Sequence, residues 1–76
     1  MLSHTVSGQE VRSLREARGK SVRQLAEEAG ISADYLYKIE RGAKNPSATA
    51  TGRLAQALGV QPKKLLARPA AAEPSQ

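Results

Sequence analysis

The chain has no cysteine, phenylalanine or tryptophan, and a single histidine. Without cysteine there are no disulfides, thiolate metal sites or thiol nucleophiles, and a reducing compartment is allowed. His4 stands alone near the N-terminus, and the serines fall mostly at helix caps. No acid–base pair or metal-ligand cluster is visible, so no enzyme activity, cofactor or metal is expected. Long apolar runs are missing too: nothing approaches the roughly 20 residues of a membrane-spanning helix, and Met1 to Val6 lacks the apolar stretch of a secretion signal. A soluble, cytoplasmic protein is the expectation. What the chain does have is positive charge: 12 Lys and Arg against 7 Asp and Glu give a net charge of +5 and a pI near 10.1. That balance favours a polyanionic partner such as nucleic acid.

Seventy-six residues close one modest core, and without disulfides or metal they rely on well-packed helices. Helix signals follow one another along the chain. Ser7 and Glu10 have capping-box spacing, with Val6 placed to staple onto Val11, and the first helix runs to about Arg18 before Gly19. Ser21 and Gln24 repeat the box for a second helix that ends at Gly30. A third spans about Ala33 to Arg41, stopped by Gly42, and Ser47 caps a fourth that ends at Gly59. Pro62 suits the first turn of a fifth helix that buries Leu65 or Leu66. Residues 1–6 are expected to form a flexible arm, 7–67 the domain, and 68–76, rich in Pro, Ala, Glu and Ser, a disordered tail.

The densest pattern lies between Val22 and Ile39. Leu25 and Ala29 share one helical face, as do Leu36 and Ile39, so the two stripes can face each other. Ala26 sits where the helices approach most closely, and Gly30 follows where a left-handed backbone is needed. Ser32 is a plausible N-cap, with Ile31 before it in the staple position towards Leu36. Two short helices crossing through a tight turn are a helix-turn-helix. DNA binding is the leading functional expectation.

Ser21 to Gly42, reading SVRQLAEEAGISADYLYKIERG, followed by NPSATATGRLAQALGV, closely resembles the Cro/C1-type (XRE-like) helix-turn-helix family of bacterial and phage regulators. The resemblance spans about Gly8 to Leu66. It implies an all-α, compact five-helix, lambda-repressor-like DNA-binding domain in which helices 2 and 3 form the helix-turn-helix. It also implies double-stranded DNA as partner, helix 3 in the major groove, a homodimer on an inverted repeat, and repression as the commonest output. The family's structural ion pair falls on Arg15 and Glu40.

With Leu36 and Ile39 turned inward, Ala33, Asp34, Tyr37 and Lys38 are left on the outer face of helix 3, where the family's base-contacting positions also fall. Lys38 is suited to guanine O6 or N7, Ala33 to a thymine methyl, and Asp34 to cytosine N4. Asp34 has a second reading, as a complement to the helix dipole. Phosphate clamps are expected at the starts of helices 2 and 4: Ser21, Val22 and Arg23 at one, and Arg41, Lys44, Asn45 and Ser47 at the other. The family often places Gln at the position of Val22, which shifts that clamp onto Ser21, Arg23 and backbone amides. Tyr35 has either a phosphate bond or core packing to supply. Ala48, Thr51 and Gly52 stand where larger aliphatics are common, so a thin core is expected there. Val60, Leu65 and Leu66 are the candidates for a dimer face. The rival to DNA binding is a protein-interaction module, antitoxin-like or an adaptor, with a protein partner.

Overall fold

A computed structural model of the protein describes residues 5–67. Four α-helices follow in order, α1 (Gly8–Ala17), α2 (Val22–Ala29), α3 (Ala33–Glu40) and α4 (Ala48–Leu58), and a single 3₁₀ turn covers Pro62–Leu65. The expected fifth helix is therefore that short turn. Pro62 starts it as anticipated, but the chain is already extended at Leu66, leaving no length for α-helical hydrogen bonds to repeat.

Each α-helix begins at a serine whose hydroxyl accepts a backbone N–H three residues on: Ser7 from Glu10, Ser21 from Gln24, Ser32 from Tyr35 and Ser47 from Ala50. At α2 the box is complete, since Gln24 Oε1 also accepts the Ser21 N–H at 3.1 Å. At α1 it is only half made. The Ser7 N–H donates to the Leu65 carbonyl at 2.7 Å instead, so a tertiary contact takes the donor that Glu10 was expected to satisfy. Gly30 ends α2 at φ 72°, in the left-handed region, and from there the chain reaches the Ser32 cap of α3 in two residues.

The core joins Val11 of α1, Leu25, Ala26 and Ala29 of α2, Leu36 and Ile39 of α3, and Leu54, Ala55 and Leu58 of α4, with Val6 and Leu65 from the two ends. Leu14, Val22, Ile31 and Tyr35 pack against it. Leu65 is fully buried whereas Leu66 is exposed. Of the apolar residues expected to supply a dimer face, Leu65 is thus spent on the domain's own core and Val60, half-buried, also packs against it, leaving Leu66 exposed. Val6 and Leu66 form an isolated antiparallel bridge, and the Val6 N–H donates to Asn45 Oδ1 at 2.8 Å. Thr5 and Val6 are held by this pairing, so the expected arm does not extend to residue 6; its first four residues and the tail over 68–76 lie outside the described residues.

Two of the small residues of α4 resolve differently from the expected thin core. Thr51 is buried, and its hydroxyl donates to the Ser47 carbonyl at 2.8 Å, satisfying the polar atom where an aliphatic was expected. A Cβ added to Gly52 would meet no atom within 4 Å, so no side chain of the domain fills that space, which opens outward. Gly52→Ala should therefore stabilise the domain by about 1 kcal/mol through helix propensity, raising the thermal midpoint by roughly 4 to 8 °C for a domain of this size. A lowered midpoint in a melting experiment would show that this side of α4 is not open.

Candidate nucleic-acid interface

The outer face of α3 is built by what the helix hides. Leu36 and Ile39 are buried, which turns Ala33, Asp34, Tyr37 and Lys38 to solvent. Among the described residues Tyr37 is the most exposed large apolar side chain, at 51%. The Arg41 guanidinium lies 5.3 Å from its ring centroid, a cation–π contact that holds both side chains at the C-terminal end of the face. One turn earlier, Lys38 Nζ lies 3.0 Å from Asp34 Oδ2. The i,i+4 spacing brings these two together, so residues expected to act separately form one ion pair.

Two helix starts flank this face. Val22, at the first turn of α2, lines a groove with Tyr37 and Arg41 and with the Arg15–Glu40 pair. On the other flank, the Tyr35 hydroxyl accepts the Ser47 N–H at 3.3 Å, tying α3 to the cap of α4. Of its two expected roles Tyr35 fills the packing one, its ring lying against the core, while its hydroxyl is placed at the α4 entrance. At the start of α2 the serine cap occupies the third amide, leaving those of Val22 and Arg23 with no carbonyl one turn behind them. Ala48 and Thr49 occupy the same positions in α4. Ser21, Arg23, Arg41, Lys44, Asn45 and Ser47 are all exposed around these starts. The loop carrying Lys44 is fixed to α3, because the Ala43 and Lys44 N–H groups both donate to the Lys38 carbonyl, at 2.8 and 3.3 Å. Asn45 also has work inside the fold, through the bond its Oδ1 accepts from Val6.

Behind the face, Arg15 meets Glu40 with two parallel bonds, Nε to Oε2 at 2.7 Å and Nη2 to Oε1 at 3.1 Å. Its remaining nitrogen donates to the Lys20 carbonyl at 2.8 Å. The bond to Glu40 is the main reason the guanidinium's pKa is raised, against the opposing pull of burial. The fork fixes α1 to the end of α3 and neutralises the one carboxylate that closes α3, so Glu40 does not present free negative charge beside the groove.

Lys20 was not anticipated as a site residue, yet it spans the fold. Its ammonium pairs with Glu28 and donates at 3.2 Å to the Ala57 carbonyl, in the last turn of α4. Nothing local to Lys20 in sequence marks Ala57 as its partner. Among the described residues, no group of His, Cys, Asp or Glu is arranged to hold a metal, and no helix is long and apolar enough to cross a membrane.

The helix-turn-helix domain family matches residues 8–68. This chain belongs to that family, in its Cro/C1-type branch. An uncharacterized HTH-type transcriptional regulator of Mycobacterium tuberculosis is 44% identical over 69 residues, 91% of this chain and 49% of that protein. The chain thus spans about half the length of the first curated relatives it matches. Among solved structures, the restriction-modification controller protein C.AhdI from Aeromonas hydrophila superimposes with a TM-score of 0.76 at 39% identity, covering 78% of this chain and 89% of that one. SinR, the master regulator for biofilm formation, solved in complex with DNA, gives a TM-score of 0.71 at 35% identity over 74% of this chain and 90% of its own.

Proposed function

We propose that the chain binds double-stranded DNA sequence-specifically as a transcriptional regulator, with α3 in the major groove and the starts of α2 and α4 on the flanking phosphates. The observation that carries this reading is the solvent-facing side of α3, bracketed by two serine-capped helix starts with Arg23 at one and Arg41 and Lys44 at the other. A convex helix between two anion-seeking amide clusters has the shape and polarity of a duplex groove between its phosphate backbones. Ala33, Asp34, Tyr37 and Lys38 read base edges. Ser21, Val22 through its backbone amide, Arg23, Tyr35, Arg41, Lys44, Asn45 and Ser47 position the backbone. Similarity to a regulator solved with DNA supports the same role.

The finer reading is a repressor acting in the bacterial cytoplasm as a homodimer on an inverted repeat. Two-fold symmetry would set the two copies of α3 about 34 Å apart, in successive major grooves. Leu66, together with the part of Val60 that the core leaves uncovered, supplies the apolar surface for that contact.

Salt titration tests the assignment. Affinity for a selected duplex should fall with a log–log slope of about −0.9 per phosphate contacted. Arg23→Ala should weaken binding to every duplex alike and flatten that slope by about 0.9, because it removes one phosphate contact and no base contact. A chain with no duplex preference at any salt concentration, and a salt-insensitive complex with a protein, would instead make it an interaction module of the antitoxin or adaptor type.

A further inference from the structure

The Asp34–Lys38 ion pair has more to do than hold two side chains still. It presents a hydrogen-bond acceptor and a donor side by side, Oδ2 and Nζ 3.0 Å apart, on the outward face of α3. Both side chains are open to solvent, Asp34 at 73% and Lys38 at 46%, so a ligand can reach the pair without breaking it. A Watson–Crick pair offers the complementary arrangement in the major groove. The keto oxygen of one base and the amino group of the other are joined by an ordinary N–H···O bond of about 2.9 Å, and each keeps one lone pair or one hydrogen facing the groove. Laid against each other, the two pairs close a four-membered ring of hydrogen bonds: ammonium to keto oxygen, and amino group to carboxylate.

Resting on the placement of α3 in the major groove, we propose that Asp34 and Lys38 read one base pair as a unit, demanding a keto base against Lys38 and an amino base against Asp34. Two of the four base pairs satisfy this, G·C and T·A, with guanine or thymine on the Lys38 side. Guanine is preferred, because its N7 stands beside O6 as a second acceptor for the ammonium, whereas thymine places its apolar methyl near the charge. The reversed pairs, C·G and A·T, set donor against donor and acceptor against acceptor, and both are rejected. Separate readers impose no such rule, since each would answer to its own base pair.

The test begins with duplexes selected by the full chain from a random library. Each half-site position is then changed to all four base pairs and titrated with the wild type, Asp34→Ala, Lys38→Ala and the double variant. One position should rank guanine above thymine and both above adenine and cytosine, with about tenfold or more in affinity between guanine and cytosine. Either single substitution should flatten that same position, and the double should flatten it no further. All three variants should melt within a few degrees of the wild type, as expected for exposed positions. Loss of preference at two different base pairs would overturn the proposal in favour of independent readers. Uniformly tighter binding by Asp34→Ala with every preference intact would reduce Asp34 to a competitor for Lys38. A wild-type chain that selects no duplex at all would overturn the DNA-binding reading itself.

Discussion

Glu40→Ala should cost the domain about 3 to 5 kcal/mol, the range for removing one partner of a buried ion pair. Glu40 and Arg15 keep only 6% and 12% of their side-chain surface in solvent, so the guanidinium left behind stays largely desolvated without its main partner. Its remaining partners are the Lys20 carbonyl at 2.8 Å and the half-exposed Glu16 at 3.9 Å, and neither replaces a two-bond fork. A small domain holds roughly 5 to 15 kcal/mol in all, so urea denaturation should show a midpoint far below the wild type. The control is the double variant Arg15→Met with Glu40→Leu. Removing both charges takes away the desolvation cost along with the attraction, so most of the stability should return. The part that does not return belongs to the Lys20 carbonyl, which keeps its donor in Glu40→Ala and loses it only when Arg15 is replaced. If Glu40→Ala costs less than about 1 kcal/mol, the pair behaves as a surface bridge and α3 is oriented by its apolar contacts alone.

That pair was legible in the sequence through family resemblance, and the apolar seam of Leu25, Ala29, Leu36 and Ile39 through spacing alone. The serine caps were legible for the same reason: cap chemistry acts over three residues, and three residues can be read locally. What could not be read is competition between local and distant partners. Ser7 with Glu10 has the same spacing as Ser21 with Gln24, yet only the second box closes, because the Leu65 carbonyl claims the Ser7 N–H from the far end of the chain. The fifth helix fails on similar grounds. Pro62 marks a helical start correctly, but the pairing of Val6 with Leu66 pulls the chain into an extended conformation after one turn. The Asp34–Lys38 pair is the opposite case. Its i,i+4 spacing is in plain view, but spacing alone does not decide whether two exposed charges on one face meet each other or two separate partners.

Gly8→Ala should destabilise the domain by about 3 kcal/mol or more, at or beyond the upper end of ordinary overpacking, although nothing around Gly8 in sequence distinguishes it. A Cβ at this position would lie 2.3 Å from the Ile39 carbonyl oxygen, 2.6 Å from that of Glu40 and 2.9 Å from the Glu40 carbonyl carbon. All three are backbone atoms at the end of α3. A flexible side chain could swing aside, but these cannot move unless α1 or α3 moves as a body. The same displacement would strain the Arg15–Glu40 fork, which joins the same two helices, and the Ser7–Leu65 bond one residue away. Gly52→Ala is the matched control, since it makes the identical chemical change in a helix where the added methyl meets open space. Helix propensity favours alanine at both positions, so opposite signs in the two thermal midpoints would isolate the clash. The consequence extends to function, because α1 buttresses the C-terminal end of α3. If Gly8→Ala folds at all, it should bind a selected duplex more weakly while keeping its order of base preferences, as Asp34 and Lys38 remain in place on a helix set at the wrong angle. Equal stability of Gly8→Ala and the wild type would mean that α1 and α3 do not meet this closely in solution.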